Sequence, residues 1–244
     1  MADAATRFYE RNYEWHAAQG AEDDLAELLA AMQRGNGRYS QAYEYLKAHP
    51  GLDVLELGCG SPAMGRIFGE LARHYTMIDI VEARVGGEWP ANVRTICANL
   101  DDDFPLESAA FDVVQAMMVI EHLYDPFHAF AELARVLRPG GSAFINLPNI
   151  ASIRCRMALL LGRLPHTSTP NWFARREWDG NHLHYFTVAS VKQIAELVGL
   201  ELVAVAPVGR NTAIKRLRPQ LLCHEINFTL RKTGPAQAAV PAAA

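Results

Sequence analysis

Asp53-Val-Leu-Glu-Leu-Gly-Cys-Gly-Ser61 is the stretch that decides the fold of this 244-residue chain. It begins as a short, mostly apolar strand and ends in a turn that contains Gly58 and Gly60, after which residues 62–73 have the pattern of a helix. Glycine adopts backbone conformations that other residues avoid, and it places no side chain between the backbone and a ligand. A strand, a tight turn and a helix N-terminus in this order are typical of α/β proteins that bind a nucleotide-like molecule.

Two classes of ligand use a turn of this kind, and the turn alone fits both. The segment Gly58-Cys-Gly60-Ser-Pro-Ala63 satisfies the dinucleotide pattern G-x-G-x-x-G/A, and Asp79 follows at the spacing expected of a ribose-binding acid. S-adenosylmethionine is the alternative, because Glu56 lies just before the first glycine, where its carboxylate can meet an ammonium group or an ordered water. The segments downstream decide between the two ligands.

Composition indicates an ordinary globular protein of the α/β class. Half of the residues are apolar and a fifth are charged, and the net charge of −4 with a pI near 6.1 does not indicate a nucleic-acid partner. Arginines are concentrated between residues 154 and 176, which we interpret as a solvated face because no aromatic-lined groove pattern accompanies them.

Cysteine usage and the absence of targeting patterns favour a cytoplasmic location. Cys59, Cys97, Cys155 and Cys223 are widely spaced, with no C-x-x-C pair, and we expect buried free thiols in a reducing compartment. The N-terminal residues lack the basic-then-apolar pattern of a signal, and no apolar run reaches about eighteen residues. We therefore expect no membrane partner.

Predicted strands and helices alternate after residue 50, which requires a mostly parallel sheet covered by helices on both faces. The predicted strands span residues 52–57, 75–80, 93–97, 111–117, 141–147, 200–208 and 222–230. The predicted helices among them span residues 62–73, 125–137, 150–162 and 187–198.

Three segments lie outside this alternation. Residues 1–49 read as an N-terminal helical cap, and residues 234–244, mostly Ala and Pro, read as a disordered tail. Within the main domain, residues 50–233, the long irregular insertion 148–186 follows a strand at its carboxyl end, where such insertions are usually functional. The cap and the insertion are rich in aromatic, His and Arg residues, and we predict that they form a lid.

Four further segments settle the ligand class. Asp79 closes the predicted second strand, where a carboxylate can accept both ribose hydroxyls, and Asn99-Leu100 follows the third strand, where an amide and a backbone N–H can read an adenine edge. Phe111-Asp-Val-Val runs into Val119-Ile-Glu-His-Leu-Tyr-Asp-Pro126. Leu133-Ala-Arg-Val-Leu-Arg-Pro-Gly-Gly141 ends a helix and turns into the fifth strand.

In this order and spacing the segments resemble the class I S-adenosylmethionine-dependent methyltransferases, particularly the small-molecule branch, over about residues 50–205. The resemblance implies a Rossmann-like seven-stranded sheet in which only the last strand, 222–230, is antiparallel, and S-adenosylmethionine as the cofactor. The cofactor-binding residues that it implies are Glu56, Gly58, Gly60, Asp79, Asn99, Leu100 and Met117. The chain departs from the family at Pro62, where glycine is usual, and at Asn99, where aspartate is more common.

Histidines are the candidates for the chemistry of the acceptor. Methyl transfer to an alcohol or phenol requires removal of the hydroxyl proton, and histidine is the commonest base near neutral pH. His122 follows the fourth strand, with a structural role as the alternative. His182 and His184 lie in Asn181-His-Leu-His-Tyr-Phe-Thr187, which resembles the H-L-x-F-F-T stretch of sugar and natural-product methyltransferases, with anchoring of a lid as the alternative.

A metal site is the competing interpretation of the same residues. Asp179, His182 and His184 have a spacing that can ligate a divalent cation, but the sequence requires no further ligand, and we predict no metal.

The sequence therefore predicts a cytoplasmic methyltransferase that acts on a hydroxyl oxygen of a sugar, a quinone or a secondary metabolite. The alternatives are N- or C-methylation, another enzyme that uses S-adenosylmethionine, and a cofactor-binding protein without turnover.

Overall fold

One sheet of seven strands organises the part of the chain that the computed structural model describes, which is residue 7 and residues 25–59, 62–81, 88–168 and 178–233. The strands are β1 (Asp53–Leu57), β2 (His74–Asp79), β3 (Val93–Cys97), β4 (Phe111–Met117), β5 (Leu137–Pro148), β6 (Leu200–Pro207) and β7 (Glu225–Lys232). Their order across the sheet is β3-β2-β1-β4-β5-β7-β6. β1 to β5 pair in parallel, whereas β7 runs antiparallel to β5 and to β6. The predicted Rossmann-like sheet with an antiparallel last strand is confirmed.

Helices cover both faces of this sheet. They are α1 (Leu25–Gln33), α2 (Ser40–Ala48), α3 (Pro62–Gly69), α4 (Pro126–Val136), α5 (Ile153–Leu160), α6 (Val188–Leu197), α7 (Thr212–Lys215) and α8 (Pro219–Leu222). Two of them begin at caps that the sequence encodes. Asp125 accepts the N–H groups of Phe127 and His128 at the start of α4, and Thr187 forms a capping box with Ser190 at the start of α6.

The core consists of two apolar clusters, one on each face of the sheet. On one face, α1, α2 and α3 contribute side chains such as Met32, Leu46 and Phe68, which pack with residues of β1, β2 and β4. On the other face, α4 and α6 contribute side chains such as Leu133 and Val191. The central strands are buried from both sides, which explains why β1 and β4 read as nearly continuous apolar runs.

The cap is attached to the sheet by polar contacts as well as by this packing. Arg38 forms an ion pair with Glu225 at 2.8 Å, and the carbonyl of Gly37 accepts a hydrogen bond from the Asn227 amide at 3.2 Å. The segment between α1 and α2 is therefore fixed to β7. Residues 8–24 of the cap, residues 169–177 of the insertion and the tail 234–244 lie outside the described residues.

Several element boundaries differ from the sequence prediction. α3 ends at Gly69 rather than at residue 73, at a position where the chain passes so close to β3 that a Cβ would lie 2.7 Å from Val93 Cγ2. β5 begins at Leu137, which pairs with Phe111, so the Pro-Gly-Gly segment lies inside the strand beside a register shift.

Two further observations concern the thiols and the helices. Cys59, Cys155 and Cys223 are buried free thiols as predicted, whereas Cys97, the last residue of β3, is exposed, so the prediction of four buried thiols was wrong there. Among the residues that the structure describes, no helix has both the length and the apolar character that crossing a bilayer requires.

Candidate functional site

The strand order reverses between β1 and β4, and we call the carboxyl edge of the sheet at this point the crevice. β1 is followed by β2 on one side and β4 is followed by β5 on the other, so the chain leaves these neighbouring strands in opposite directions. Ligands of open α/β sheets bind at such a point. Gly58, which follows β1, has a φ of +66°, and a Cβ there would lie 2.5 Å from Val119 Cγ2. Glycine is therefore required for the turn after β1 to pack against the segment after β4.

The β2 and β3 side of this crevice carries two of the predicted cofactor residues. Asp79 ends β2 and is only 4% exposed; its Oδ1 accepts the Val81 N–H at 2.9 Å, and its Oδ2 lies 3.8 Å from Cys59 Sγ, in the turn after β1. Asn99 Oδ1 accepts the Asp101 N–H at 3.1 Å.

The remaining predicted cofactor residues differ in what they can offer a ligand. The Leu100 side chain is buried in the core, so a ligand would meet only its backbone. Met117 is the last residue of β4, and its side chain is also buried. Met118 then adopts a left-handed conformation with φ of +55°. Gly60 lies outside the described residues.

Glu56 lies deeper than the sequence suggested. Its side chain is fully buried, with Tyr39 donating to Oε1 at 2.8 Å and Tyr75 donating to Oε2 at 2.6 Å. Burial raises the pKa of this carboxyl to about 8, and the Asp79 carboxylate acts in the same direction against the two tyrosine donors. Because Tyr39 belongs to the cap and Tyr75 to β2, Glu56 joins the cap to the sheet.

Two of the three predicted histidines meet on the β4 side of the crevice, although they are far apart in sequence. The rings of His122 and His182 lie 4.9 Å apart, edge to face. Both stand beside Glu121: His182 Nε2 is 4.0 Å from Glu121 Oε1, and one ligand atom from each of the three residues lies within 4.8 Å of the others. His184 points elsewhere, and its Nε2 donates to the Tyr124 carbonyl at 3.1 Å.

Backbone hydrogen bonds align the two segments that supply this cluster. The N–H groups of Leu183 and His184 donate to the Glu121 carbonyl at 2.8 and 3.2 Å. This pairing brings the strand-end segment 120–122 alongside the end of the insertion. It explains how residues sixty positions apart come to share a site.

A left-handed turn over residues 179–181 is fixed to the preceding part of the insertion. Asp179, Gly180 and Asn181 all have positive φ, and a Cβ on Gly180 would lie 2.6 Å from Ser168 Cβ. The Asp179 carboxylate accepts the backbone N–H and the hydroxyl of both Thr167 and Ser168, at 2.8 to 3.0 Å. Despite the opposing effect of burial, these donors lower the pKa of Asp179.

This network determines which ring nitrogens carry protons. The Thr167 hydroxyl donates to Asp179 Oδ2 at 2.9 Å, so it can only accept from His182 Nδ1, 2.7 Å away. His122 Nδ1 faces the Asn181 carbonyl at 3.0 Å and must donate to it. Nδ1 therefore carries a proton in both rings. Burial, and to a lesser degree His122, lowers the pKa of His182 to about 4, so that ring is neutral at pH 7.

Glu121 is the functional candidate that sequence reasoning missed. It is fully buried, and within the described part of the chain neither carboxylate oxygen accepts a hydrogen bond from another residue. Burial raises its pKa to about 8. The only signal in the sequence was an acid directly before a histidine at the end of a buried strand.

The Asp179, His182 and His184 grouping considered from sequence is not the arrangement observed. Asp179 is occupied by its Thr167 and Ser168 donors, and His184 by the Tyr124 carbonyl. Asp179 therefore orients His182 through Thr167, while His182 itself joins Glu121 and His122.

Comparisons of sequence agree with the family resemblance. Residues 14–205 match the family described as "Methyltransferase domain". The chain is 38% identical over 120 residues to a probable S-adenosylmethionine-dependent methyltransferase of Mycolicibacterium smegmatis, covering 46% of this chain and 44% of that protein. It is 32% identical over 108 residues to a ubiquinone biosynthesis O-methyltransferase of Hahella chejuensis, covering 42% and 45%. The chain thus spans about half the length of the curated relatives that it matches.

Solved structures share the fold at low identity. An S-adenosylmethionine-dependent methyltransferase from Mesorhizobium loti superposes with a TM-score of 0.59 at 16% identity, covering 80% of this chain and 98% of that one. Burkholderia thailandensis 1,6-didemethyltoxoflavin-N1-methyltransferase, solved with 1,6-didemethyltoxoflavin and S-adenosylhomocysteine, gives 0.57 at 18% identity, covering 96% and 92%. The [4+2]-cyclase SpnF gives 0.54 at 16%, covering 79% and 80%.

Proposed function

Because the chain belongs to the methyltransferase-domain family, with relatives named as S-adenosylmethionine-dependent methyltransferases, we propose that it transfers the methyl group of S-adenosylmethionine to a hydroxyl oxygen of a small molecule. The name of one relative, a ubiquinone biosynthesis O-methyltransferase, supports an oxygen acceptor. The neighbour named as an N1-methyltransferase represents the main alternative, a nitrogen acceptor.

The observation that favours oxygen is the Glu121, His122 and His182 cluster. An alcohol or phenol must lose its proton to become a good nucleophile, whereas a neutral amine attacks through a lone pair that it already has. The cluster brings two imidazole rings to the carboxyl edge of the sheet, on the opposite side of the crevice from Asp79. A cofactor on the β2 side would thus present its methyl group toward an acceptor on the β4 side.

The cofactor positions follow from the same geometry. In this proposal the turn containing Gly58 and Gly60 holds the methionine portion and Asp79 accepts both ribose hydroxyls. Asn99 and the backbone of Leu100 meet the adenine. Met117 lines the crevice at the end of β4, and Glu56 supports the turn from below through Tyr39 and Tyr75.

The reaction is an in-line displacement. The acceptor oxygen gives its proton to an imidazole Nε2 of the cluster, and we assign this role to His122, the half-buried member. The oxygen then attacks the methyl carbon while the carbon–sulfur bond breaks and its electron pair returns to sulfur. The products are a methyl ether and S-adenosylhomocysteine. Positioning at about 3–3.5 Å supplies most of the acceleration.

The proposal is tested by separating cofactor binding from turnover. We expect S-adenosylhomocysteine to raise the melting temperature by mass action, with no such effect of NAD at equal concentration. We also expect transfer of labelled methyl groups to hydroxylated metabolites, in an acid-stable ether linkage. A larger thermal shift with NAD would refute the cofactor, and label found only on nitrogen would refute the oxygen acceptor.

A further inference from the structure

Two segments of the chain carry large apolar side chains that are exposed to solvent. The first, residues 153–164, comprises α5 and the turn after it, and the second, residues 210–222, contains α7 and α8. The exposed apolar side chains of these segments are Ile153, Met157, Leu159, Leu160, Leu161, Leu164, Ile214, Leu217 and Leu222. Leu160 and Leu217 are 77% and 79% exposed. Single exposed apolar residues are ordinary, but groups of them usually mark an interaction surface.

Hydrogen bonds hold the two segments beside each other. Asn149, which precedes α5, donates from its side-chain amide to the carbonyls of Gln220 and Cys223, both at 2.9 Å. Its backbone N–H donates to the His224 carbonyl at 2.7 Å. Burial and, after it, the positive charge of Arg154 lower the pKa of His224, which also places the start of α5 near the end of α8. The two segments therefore form one region of the protein.

The same region is strongly basic. Six exposed arginines lie in the two segments: Arg154, Arg156, Arg163, Arg210, Arg216 and Arg218. Residues 150–168 and 208–224 contain no Asp or Glu, although the net charge of the whole chain is −4. Within the described ranges, none of the six arginines forms an ion pair with a carboxylate. We call these arginines, together with the nine exposed apolar side chains, the basic apolar surface.

Arginine and leucine in this combination match the chemistry of an anionic lipid bilayer. Guanidinium groups bind phosphate well, and the apolar stem of arginine can lie along an apolar layer while its charge stays at the headgroups. Leu159, Leu160 and Leu161 are each more than 60% exposed at the C-terminal end of α5. Protruding side chains of this kind can enter the boundary between headgroups and acyl chains, which needs no shaped pocket.

We propose that the basic apolar surface binds a membrane surface that contains anionic phospholipids. The contact is with one leaflet, so it requires no spanning helix, and the sequence-based expectation of no membrane partner concerned spanning and targeting segments only. Because the chain as a whole is negative, attraction is confined to this region, and α5, α7 and α8 face the headgroups. The inference does not depend on the proposed methyl transfer.

Vesicle sedimentation tests the proposal with the full chain. We expect the protein to sediment with vesicles made of equal parts phosphatidylglycerol and phosphatidylcholine, and to stay in the supernatant with vesicles of phosphatidylcholine alone. Raising the salt concentration from about 0.1 M to about 0.5 M should lower the bound fraction, because salt screens the attraction. If the folded protein does not sediment with the anionic vesicles, the proposal is overturned.

A pair of double variants tests the arginines. Arg163→Gln combined with Arg216→Gln removes one charge from each segment, and each charge near an anionic surface changes the partition coefficient about fivefold. We expect at least about a tenfold loss of vesicle binding. Arg66→Gln combined with Arg94→Gln makes the same change of charge at exposed positions of α3 and β3, and should change binding less than about threefold.

A second set of variants tests the apolar side chains at constant charge. Leu160→Ser combined with Leu217→Ser should lower vesicle binding at least about tenfold, because the two most exposed leucines no longer leave water. Leu197→Ser, at a position of α6 that is 55% exposed, is the control and should bind like the native protein. Unchanged binding in either the arginine or the leucine double variant would overturn the proposal.

A second copy of the chain is the competing occupant of this surface. Sedimentation velocity without lipid distinguishes it, and we expect the native protein and the variant with Leu160→Ser and Leu217→Ser to have the same sedimentation coefficient. Self-association of the native chain that this variant abolishes, without binding to anionic vesicles, would show an interface between copies and refute the membrane contact.

Discussion

At the scale of single residues, the two buried carboxyl groups at the crevice differ in the hydrogen-bond donors that surround them. Glu56 has a tyrosine hydroxyl on each oxygen, whereas Glu121 has no donor from another described residue. Both have a raised pKa because burial disfavours the charged form. The two tyrosine donors offset the burial of Glu56, whereas burial of Glu121 is relieved by its neutral form.

Replacing Asp79 tests the cofactor half of the site. Asp79→Ala should reduce affinity for S-adenosylhomocysteine at least tenfold, because charge-assisted hydrogen bonds contribute about 1.5–3 kcal/mol each. Calorimetry measures the effect, and the fold should survive the loss of the Val81 contact. Asp103→Ala, whose side chain is 92% exposed, is the matched control and should bind normally. Unchanged affinity in Asp79→Ala would remove the ribose assignment.

Glu56 should lower the unfolding free energy as pH rises, whereas a salt-bridged acid, whose pKa is lowered, raises it. Its pKa is raised from 4.5 to about 8 in the fold, so its contribution to stability is fully present below about pH 4.5 and is lost as pH rises through 8. Glu56→Gln removes this dependence. We expect the unfolding free energy of the native protein, relative to the variant, to fall by more than about 1 kcal/mol between pH 5 and pH 8.

Urea unfolding at several pH values measures this difference. Glu201→Gln, on an exposed position of β6, serves as the control and should parallel the native protein. Parallel profiles for the native protein and Glu56→Gln would contradict the prediction.

At the scale of elements, strands were predicted better than the segments between them. β3 and β4 have the bounds read from the sequence, because each is a short run that ends at a clear turn. The pairing of Glu121 with Leu183 and His184 could not be read, because it joins segments sixty residues apart through backbone groups that any residue carries. The motif Ile-Glu-His therefore indicated His122 but gave no role to Glu121. The sequence predicted which strand ends carry the candidate site, whereas the contacts that bring its side chains together were seen only in the structure.

The left-handed turn at 179–181 can be tested with a matched pair of glycines. Gly180 and Gly162 have nearly the same φ, +66° and +65°, but a Cβ on Gly180 would meet Ser168 at 2.6 Å, whereas a Cβ on Gly162 would meet nothing within 4 Å. Gly162→Ala should cost about 1–2 kcal/mol of unfolding free energy from conformation alone. Gly180→Ala should cost at least about 1 kcal/mol more, because Ser168 must move.

The same pair separates stability from positioning. Because Ser168 and Thr167 hold Asp179, Gly180→Ala should also lower turnover with little change in S-adenosylhomocysteine affinity. Equal stability and equal turnover of the two variants would show that the turn does not depend on this close approach.

Two segments outside the alternating pattern have described residues that contact the site at the carboxyl edge of the sheet. The cap reaches it through Tyr39, and the insertion reaches it through His182. α5 and the residues after it carry exposed apolar side chains, including Leu160 at 77% exposure. A nucleophile at the edge of an open sheet competes with water unless it is covered. We therefore retain the hypothesis that the insertion 148–186 acts as a lid.

Limited proteolysis tests whether the insertion responds to both substrates. Lids belong to the less stable parts of a structure, and ligand binding lowers the population of their open state. We expect S-adenosylhomocysteine to slow tryptic cleavage after Arg154, Arg156 and Arg163, and a hydroxylated acceptor to slow it further. Cleavage after Lys192 on α6, outside the insertion, provides the internal control and should respond less.

His182→Ala connects this motion to the chemistry. His182 joins the insertion to the β4 side of the crevice, whereas Asp79 and the turn after β1 lie on the β2 side, where we propose that the cofactor binds. The variant should therefore lower turnover by at least tenfold while S-adenosylhomocysteine affinity changes by less than about threefold, and the protection that the acceptor adds should disappear. If the variant retains full turnover, or if cleavage of the insertion is indifferent to both ligands, the acceptor binds elsewhere and the insertion is not its lid.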